Sequence, residues 1–415
     1  MNYCVIRLIA LMSMVLISSC GQSDSGGDID VQGDGIPELV DTDKPKAQPQ
    51  DPAASSAKPN GPASPATCLS ECEVPEYAQF KIGAPIEVGP ESCSVKNLSI
   101  FQAENGIGVL TVADCGQFTN LYHQTVSLDG TDRSEMKLVS DNCESKLYDT
   151  KEVASAADDT GVMVVYSCDK GRHSVDVYAR YLNHNGTMSQ PKLIDSNAET
   201  FRVAYNAATS EFGIGRSGKF FRFNREMTQL GGTALIGTKN NYKVRNISAL
   251  GGDFVIMKDQ DWSTKSYCSV VSSGGIPLCD DVEIPSGYFR QVAPKRMMSV
   301  ASNGDVSLLA TMDTQCQTGN PRLIGTTSMR GTMSLGEGIS FGGKYGAILI
   351  KSGKNDLSIA VASVVSDYSY GATIPAASST DITSETLINF ADQPVVGYVA
   401  QEKAFLMVGR MDNGK

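Results

Sequence analysis

The chain has 415 residues, with 35 Lys and Arg against 46 Asp and Glu, a formal net charge of −11. An acidic chain without a basic cluster makes a poor nucleic-acid ligand, because neutralising phosphates takes grouped Lys and Arg. With 40 glycines, a single Trp and no long helical periodicity, the composition points to an all-β class built from many turns.

Arg7 is the one charge ahead of an apolar run from Leu8 to Ile17. That run is too short to span a bilayer and reads as a signal-peptide core. It ends in Ile17-Ser18-Ser19-Cys20, which resembles the bacterial lipobox, whose Cys carries the lipid and becomes the first mature residue. The resemblance implies a signal peptide over 1–19 and a lipoprotein anchor, with palmitate, on Cys20. Gly21 rather than Asp follows the Cys. By similarity to enteric lipoproteins, this implies the cell outer membrane, on its periplasmic or its surface side. No later stretch has the roughly 18 apolar residues of a transmembrane helix, so the lipid is the expected membrane attachment.

Residues 20–75 are rich in Asp, Gly, Pro, Ala and Ser. They cannot bury enough apolar surface to offset the entropy of ordering, and read as a flexible tether. Within it Asp30, Asp34, Gly35 and Asp41 fall at the spacing of an EF-hand-like calcium loop, and the stretch resembles Asp-rich repeats of the thrombospondin type. Gln32 departs from that pattern, and a single loop without flanking helices holds calcium weakly. The stretch therefore reads first as a solvated acidic linker.

Residues 76–415 carry a recurring grammar, clearest from Val162 to Asp195. A β-branched run, Val162 to Tyr166, is followed by period-two alternation from Ser174 to Leu182, then Asn185-Gly186, then a return at Pro191 to Ile194. Asn-Gly tolerates the positive φ that tight hairpins require. Turns between first and second strands are expected at Asn105-Gly106, Thr160-Gly161, Ser210-Glu211, Gly252-Asp253, Gly304-Asp305, Gly343-Lys344 and Gln393-Pro394. Turns between third and fourth strands are expected at Asp129-Gly130, Asn185-Gly186, Glu226-Met227, Gly274-Gly275, Arg330-Gly331, Tyr370-Gly371 and Asn413-Gly414. A spacing of roughly 47 residues suits four-stranded propeller blades. Both series predict a β-propeller of seven blades, with the third and sixth repeats degenerate. The last repeat stops after its third strand, Ala404 to Met411, while a spare strand, Phe80 to Val88, precedes the first. The N-terminal strand is expected to complete the last blade and remove the open edges.

Setting Cys4 and Cys20 aside leaves nine cysteines. Export makes disulfides permissible. Cys93 and Cys143 each precede a first strand, and Cys115 and Cys168 each close the antiparallel second strand, so Cys93–Cys115 and Cys143–Cys168 are expected bonds. Cys268 and Cys279 flank Ser273-Gly274 and are expected to pair across a hairpin. Cys68, Cys72 and Cys316 stay unassigned.

No catalytic constellation is legible. His123, His173 and His184 have no partner at ligand or triad spacing. Gly409 to Lys415 matches the start of a P-loop but lacks its Ser or Thr and its helix, and reads as a hairpin turn. The Asp-box of sialidase propellers is absent. Loops between second and third strands carry Asp114, Asp169, Asp259 with Asp261, Asp313 and Asp356. A ring of carboxylates can bind calcium, the one cofactor this pattern suggests, although an Asp also caps its own turn. Phe118, Arg172, His173 and Trp262 are the candidate ligand contacts on the same face. The expectation is a non-catalytic binding or scaffold propeller for a protein or cell-envelope ligand. In architecture it resembles the lipoprotein propellers that assist outer-membrane assembly. The alternative is a calcium-dependent hydrolase resembling propeller lactonases or phytases.

Overall fold

The structure is a computed structural model. It describes residues 80–415 apart from 117–118, 142, 144–151, 170–174, 197–199, 238–241, 261–264, 285–287, 294–295, 301–304, 311–314, 317–320, 327–332, 365–370, 380 and 412–415. All of its regular elements are strands. The expected signal peptide over 1–19, Cys20, Cys68, Cys72 and the stretch with Asp30, Asp34 and Asp41 lie outside the described residues.

Two short N-terminal strands, β1 (Phe80–Ile82) and β2 (Ile86–Val88), precede the first blade. Blade 1 is β3 (Ser94–Ala103), β4 (Gly106–Asp114), β5 (Thr119–Val126) and β6 (Lys137–Leu138). Blade 2 is β7 (Val153–Ala157), β8 (Gly161–Asp169), β9 (Val175–Asn183) and β10 (Lys192–Ser196). Blade 3 is β11 (Phe201–Asn206), β12 (Glu211–Arg216), β13 (Lys219–Phe223) and β14 (Ala234–Leu235). Blade 4 is β15 (Tyr242–Leu250), β16 (Asp253–Gln260), β17 (Ser266–Val271) and β18 (Pro277–Ile284). Blade 5 is β19 (Tyr288–Ala293), β20 (Arg296–Val300), β21 (Asp305–Ala310) and β22 (Pro321–Thr326). Blade 6 is β23 (Met333–Phe341), β24 (Tyr345–Ser352), β25 (Asp356–Ser363) and β26 (Gly371–Ser378). The last sheet holds β27 (Ile382–Phe390), β28 (Gln393–Ala400) and β29 (Lys403–Met411), with β1 and β2 both paired to β29. The fold is thus a β-propeller: six four-stranded antiparallel sheets of consecutive strands, and a seventh completed from the N-terminus.

The closing strand is in two pieces. β1 pairs with the end of β29, Phe80 opposite Met411, and β2 pairs with its start, Ile86 opposite Leu406. Gly83 donates its N–H to Val408 O at 2.8 Å between them, while Pro85 has no N–H to give. Gly130 in the turn after β5 has φ +76°, and a Cβ there would come within 2.5 Å of the Ile86 side chain. Gly409 to Met411, the start of the stretch expected as a hairpin turn, belongs to β29 with Gly409 opposite Ile82, and the rest of that stretch lies outside the described residues.

Among the described residues, an apolar cluster sits at each of the seven blade-to-blade junctions. Strand alternation explains it. Val109 faces blade 7 and its neighbour Leu110 faces blade 2, because successive side chains leave opposite faces of a sheet. Second strands such as β4 and β28 are covered on both faces, so they read as unbroken apolar runs.

Two expectations need correction. Gly304-Asp305 joins the second and third strands of blade 5 and not the first and second. Arg330-Gly331 falls between β22 and β23, outside the described residues. The link between β19 and β20 is Pro294-Lys295, with neither Gly nor Asp, so a landmark built on those residues passes over it and lands on the next turn. The second correction concerns the cysteines. Cys93 is bonded to Cys115 and Cys143 to Cys168, but Cys279 is bonded to Cys316 and not to Cys268. Two register shifts in the β17–β18 hairpin set Cys279 opposite Val270 and Cys268 opposite Val282. The symmetry about Ser273-Gly274 is lost, and Cys316 of blade 5 reaches Cys279 across the junction.

Candidate functional site

The first strands of adjacent blades pack side by side, β27 on β3, β3 on β7, β7 on β11, β11 on β15, β19 on β23 and β23 on β27. Where they converge lies a cavity of about 450 Å³, walled by β3, β7, β11, β15, β23 and β27. Its wall is rich in hydroxyls and amides: Asn97, Ser99, Ser155, Asn246, Ser248 and Ser384.

Bulges place these groups. The register shifts between Val95 and Asn97, between Val244 and Asn246, and between Ile382 and Ser384. A bulge bends its strand and re-aims the side chains beside it. Blades 1 and 4 do this with nearly the same residues, Val95-Lys96-Asn97-Leu98-Ser99 and Val244-Arg245-Asn246-Ile247-Ser248. In both, the step between buried apolar residues widens from two to three, Val95 to Leu98 and Val244 to Ile247. That broken alternation is a signal readable in the sequence, separate from the turn residues.

The wall groups bond to one another across blades. Ser384 Oγ donates to Asn97 Oδ1 at 2.8 Å, Leu98 N donates to the same oxygen at 2.7 Å, and Ser99 and Ser155 share a hydroxyl bond of 2.8 Å. The charges pair as well. Arg202 of blade 3 meets Glu152 of blade 2 at 3.3 Å, Arg245 meets Asp259 within blade 4 at 2.8 Å, and Lys351 of blade 6 meets Glu385 of blade 7 at 3.4 Å. The result is a net-neutral recess of fixed dipoles, suited to holding a polar ligand without net charge.

A second recess, about 500 Å³, lies between the turns of blades 1 and 2 and is lined by Glu104, Asp158, Asp159, His184 and neighbouring amides. Asp158 serves its own turn. Its Oδ1 accepts from Tyr181 OH at 2.5 Å, Thr160 N at 2.8 Å and Gly161 N at 2.9 Å, and Arg225 faces its Oδ2 at 3.1 Å. Burial pushes this carboxyl up, but those hydrogen bonds outweigh it and hold it below the usual carboxylate range.

The residues expected to contact ligand or metal are scattered. Asp114 ends β4 and accepts from Gly116 N at 3.1 Å, which makes it a turn cap. Asp259 belongs to the axial pair with Arg245 and also accepts from Ser266 Oγ at 3.0 Å. Asp169 ends β8 opposite Val175. Phe118, Arg172, His173, Asp261, Trp262 and Asp313 lie outside the described residues. His123 is buried in β5, stacked on Phe101 at 5.6 Å. Burial, with a smaller push from Lys137, lowers its pKa to about 4, so it stays neutral.

No family model matches the chain, and no curated protein matches it. Among solved structures, BBS1N in complex with ARL6DN aligns with a TM-score of 0.49 at 10% identity, covering 81% of this chain and 97% of that one. The WD40 propeller domain of Doa1 aligns at 0.44 and 9% identity, covering 79% and 96%. A subtype N10 neuraminidase-like protein of A/little yellow-shouldered bat/Guatemala aligns at 0.42 and 9%, covering 80% and 99%. Each of these likenesses is one of fold.

Proposed function

We propose that the protein is an outer-membrane lipoprotein, anchored through lipid on Cys20, whose propeller binds a protein or cell-envelope ligand and catalyses no reaction. The observation that carries the binding reading is the axial cavity. Its charges cancel in ion pairs and its hydroxyls and amides bond to one another. Such a wall recognises shape and polarity, whereas catalysis calls for an acid, base or nucleophile held ready for a proton or bond transfer. Asp114 and Asp259, taken up by a turn and by Arg245, favour this reading over a calcium-dependent hydrolase. The anchor reading rests on the lipobox and the tether alone.

The test is a pull-down from detergent-solubilised membranes with wild-type protein and with Ser248→Phe, which puts a bulky ring on the cavity wall. A partner retained by wild type and lost by the variant, with the fold intact by circular dichroism, supports the reading. A stoichiometric metal whose chelation abolishes an ester or phosphoester activity overturns it. Cys20→Ser tests the anchor: the variant should leave the membrane fraction, and retention after a high-salt wash refutes the lipid attachment.

A further inference from the structure

Three cysteines meet at the junction of blades 4 and 5. Cys268 lies on β17 and Cys279 on β18, either side of the hairpin in blade 4, and Cys316 lies between β21 and β22 of blade 5. Their sulfurs lie within 4.8 Å of one another. Cys279 and Cys316 are joined in a disulfide, and Cys268 stands beside it as a buried thiol. All three belong to one apolar cluster with Val255, Met257 and Val270. Cys268 is 0% exposed and Cys316 2%.

We propose that these residues form a thiol–disulfide exchange centre, in which Cys268 displaces Cys316 from Cys279 and converts a cross-link between blades into a loop within one blade. The chemistry needs no outside oxidant or reductant. Cys268 Sγ, as thiolate, forms a bond to Cys279 Sγ. The Cys279–Cys316 bond breaks, its electron pair stays on Cys316 Sγ, and that sulfur takes up the proton Cys268 gave away. The three sulfurs lie within 4.8 Å of one another, and burial in an apolar cluster shields the exchange from thiols in solution. The two bonded states differ in consequence. In one, blades 4 and 5 are covalently tied at Cys279–Cys316. In the other, that tie is gone and the junction keeps only non-covalent contacts at this point. Register shifts in the β17–β18 hairpin, between Cys268 and Val270 and between Val270 and Val271, flank this site and lie where the bond would move.

Trypsin separates the two states cleanly. Cleavage after Lys265, Arg290, Arg296 and Arg322 leaves Cys268 and Cys279 on one peptide, Ser266–Arg290, and Cys316 on another, Met297–Arg322. The full mature chain, purified without reductant, is held at mildly alkaline pH, quenched in acid, alkylated and mapped by mass spectrometry. The expected result is conversion of the two-peptide cross-link into a looped Ser266–Arg290 peptide with Cys316 alkylated, slower at acidic pH. Cys268→Ser should keep the cross-link throughout. Cys316→Ser should carry a Cys268–Cys279 bond. The proposal is overturned if wild type keeps the cross-link unchanged at alkaline pH and Cys316→Ser leaves both remaining thiols open to alkylation while Cys93–Cys115 stays bonded.

Discussion

Removing the N-terminal strand tests the closure of the ring directly. β1 and β2 contribute three apolar side chains to the last blade's junctions. Val88 is buried in the cluster shared with blade 1, Ile86 is partly buried there, and Ile82 is partly buried against blade 6. A fully buried Val contributes roughly 1.5–3 kcal/mol and each half-buried Ile roughly 1, for a loss of about 3–5 kcal/mol. Six ladder pairs to β29 go as well, and β29 becomes an open edge. Melting entropy scales with chain length, so for a domain of this size each kcal/mol moves Tm by only about 1.5 °C. Deleting residues 21–75 should therefore leave Tm unchanged, because those residues precede the first strand. Deleting residues 21–89 should lower it by roughly 4–8 °C and promote association through the bare edge of β29. The assay is differential scanning calorimetry of both truncations beside the mature chain, with light scattering for association. Equal melting temperatures for the two truncations would refute the argument.

Acid should weaken the fold through His123, whose pKa is lowered from 6.5 to about 4. The folded form resists the proton that the unfolded chain takes up, so the contribution is complete above pH 6.5 and is lost as pH falls towards 4. By linkage it amounts to about 3 kcal/mol, and denaturant melts of His123→Gln across that window should lack this dependence. Lys258 is fully buried, bonded to Ser269 Oγ at 2.6 Å and Asp281 at 2.7 Å and set over the Tyr242 ring at 4.7 Å. Lys258→Met removes the buried cation that faces both Asp280 and Asp281 and should cost about 3 kcal/mol, read as a lower denaturant midpoint at unchanged slope. Gly108 has no room for a side chain, since a Cβ there would lie 2.1 Å from the Phe101 ring. Gly108→Ala should cost about 1–3 kcal/mol by displacing that ring, with a matching change in the His123 resonances by NMR.

The architecture was legible because local chemistry and repetition agree. Asn185-Gly186 fixes a hairpin by its tolerance of positive φ, and Gly186 has φ +81°. Alternation along β4 and β9 sends side chains to two junctions, and the missing fourth strand of the last repeat called for Phe80 to Val88. Blade 5 was less legible, since Pro294-Lys295 between its first two strands lacks the Gly or Asp that marks the corresponding turn in most other blades, and only sheet pairing identifies it.

The sequence by itself therefore determined the blade repeat, its N-terminal closure and two of the three disulfides among the described residues, all of which depend on neighbours close in sequence or on a count of strands. Tertiary structure decided the rest. The axial cavity joins Glu152 to Arg202 and Asn97 to Ser384, and Cys316 is brought from blade 5 onto Cys279 of blade 4. Such pairs arise only when neighbouring blades pack against one another, so their residues carry no common spacing. Bulges at Asn97 and Asn246 then turn into the axis side chains that simple alternation would direct elsewhere.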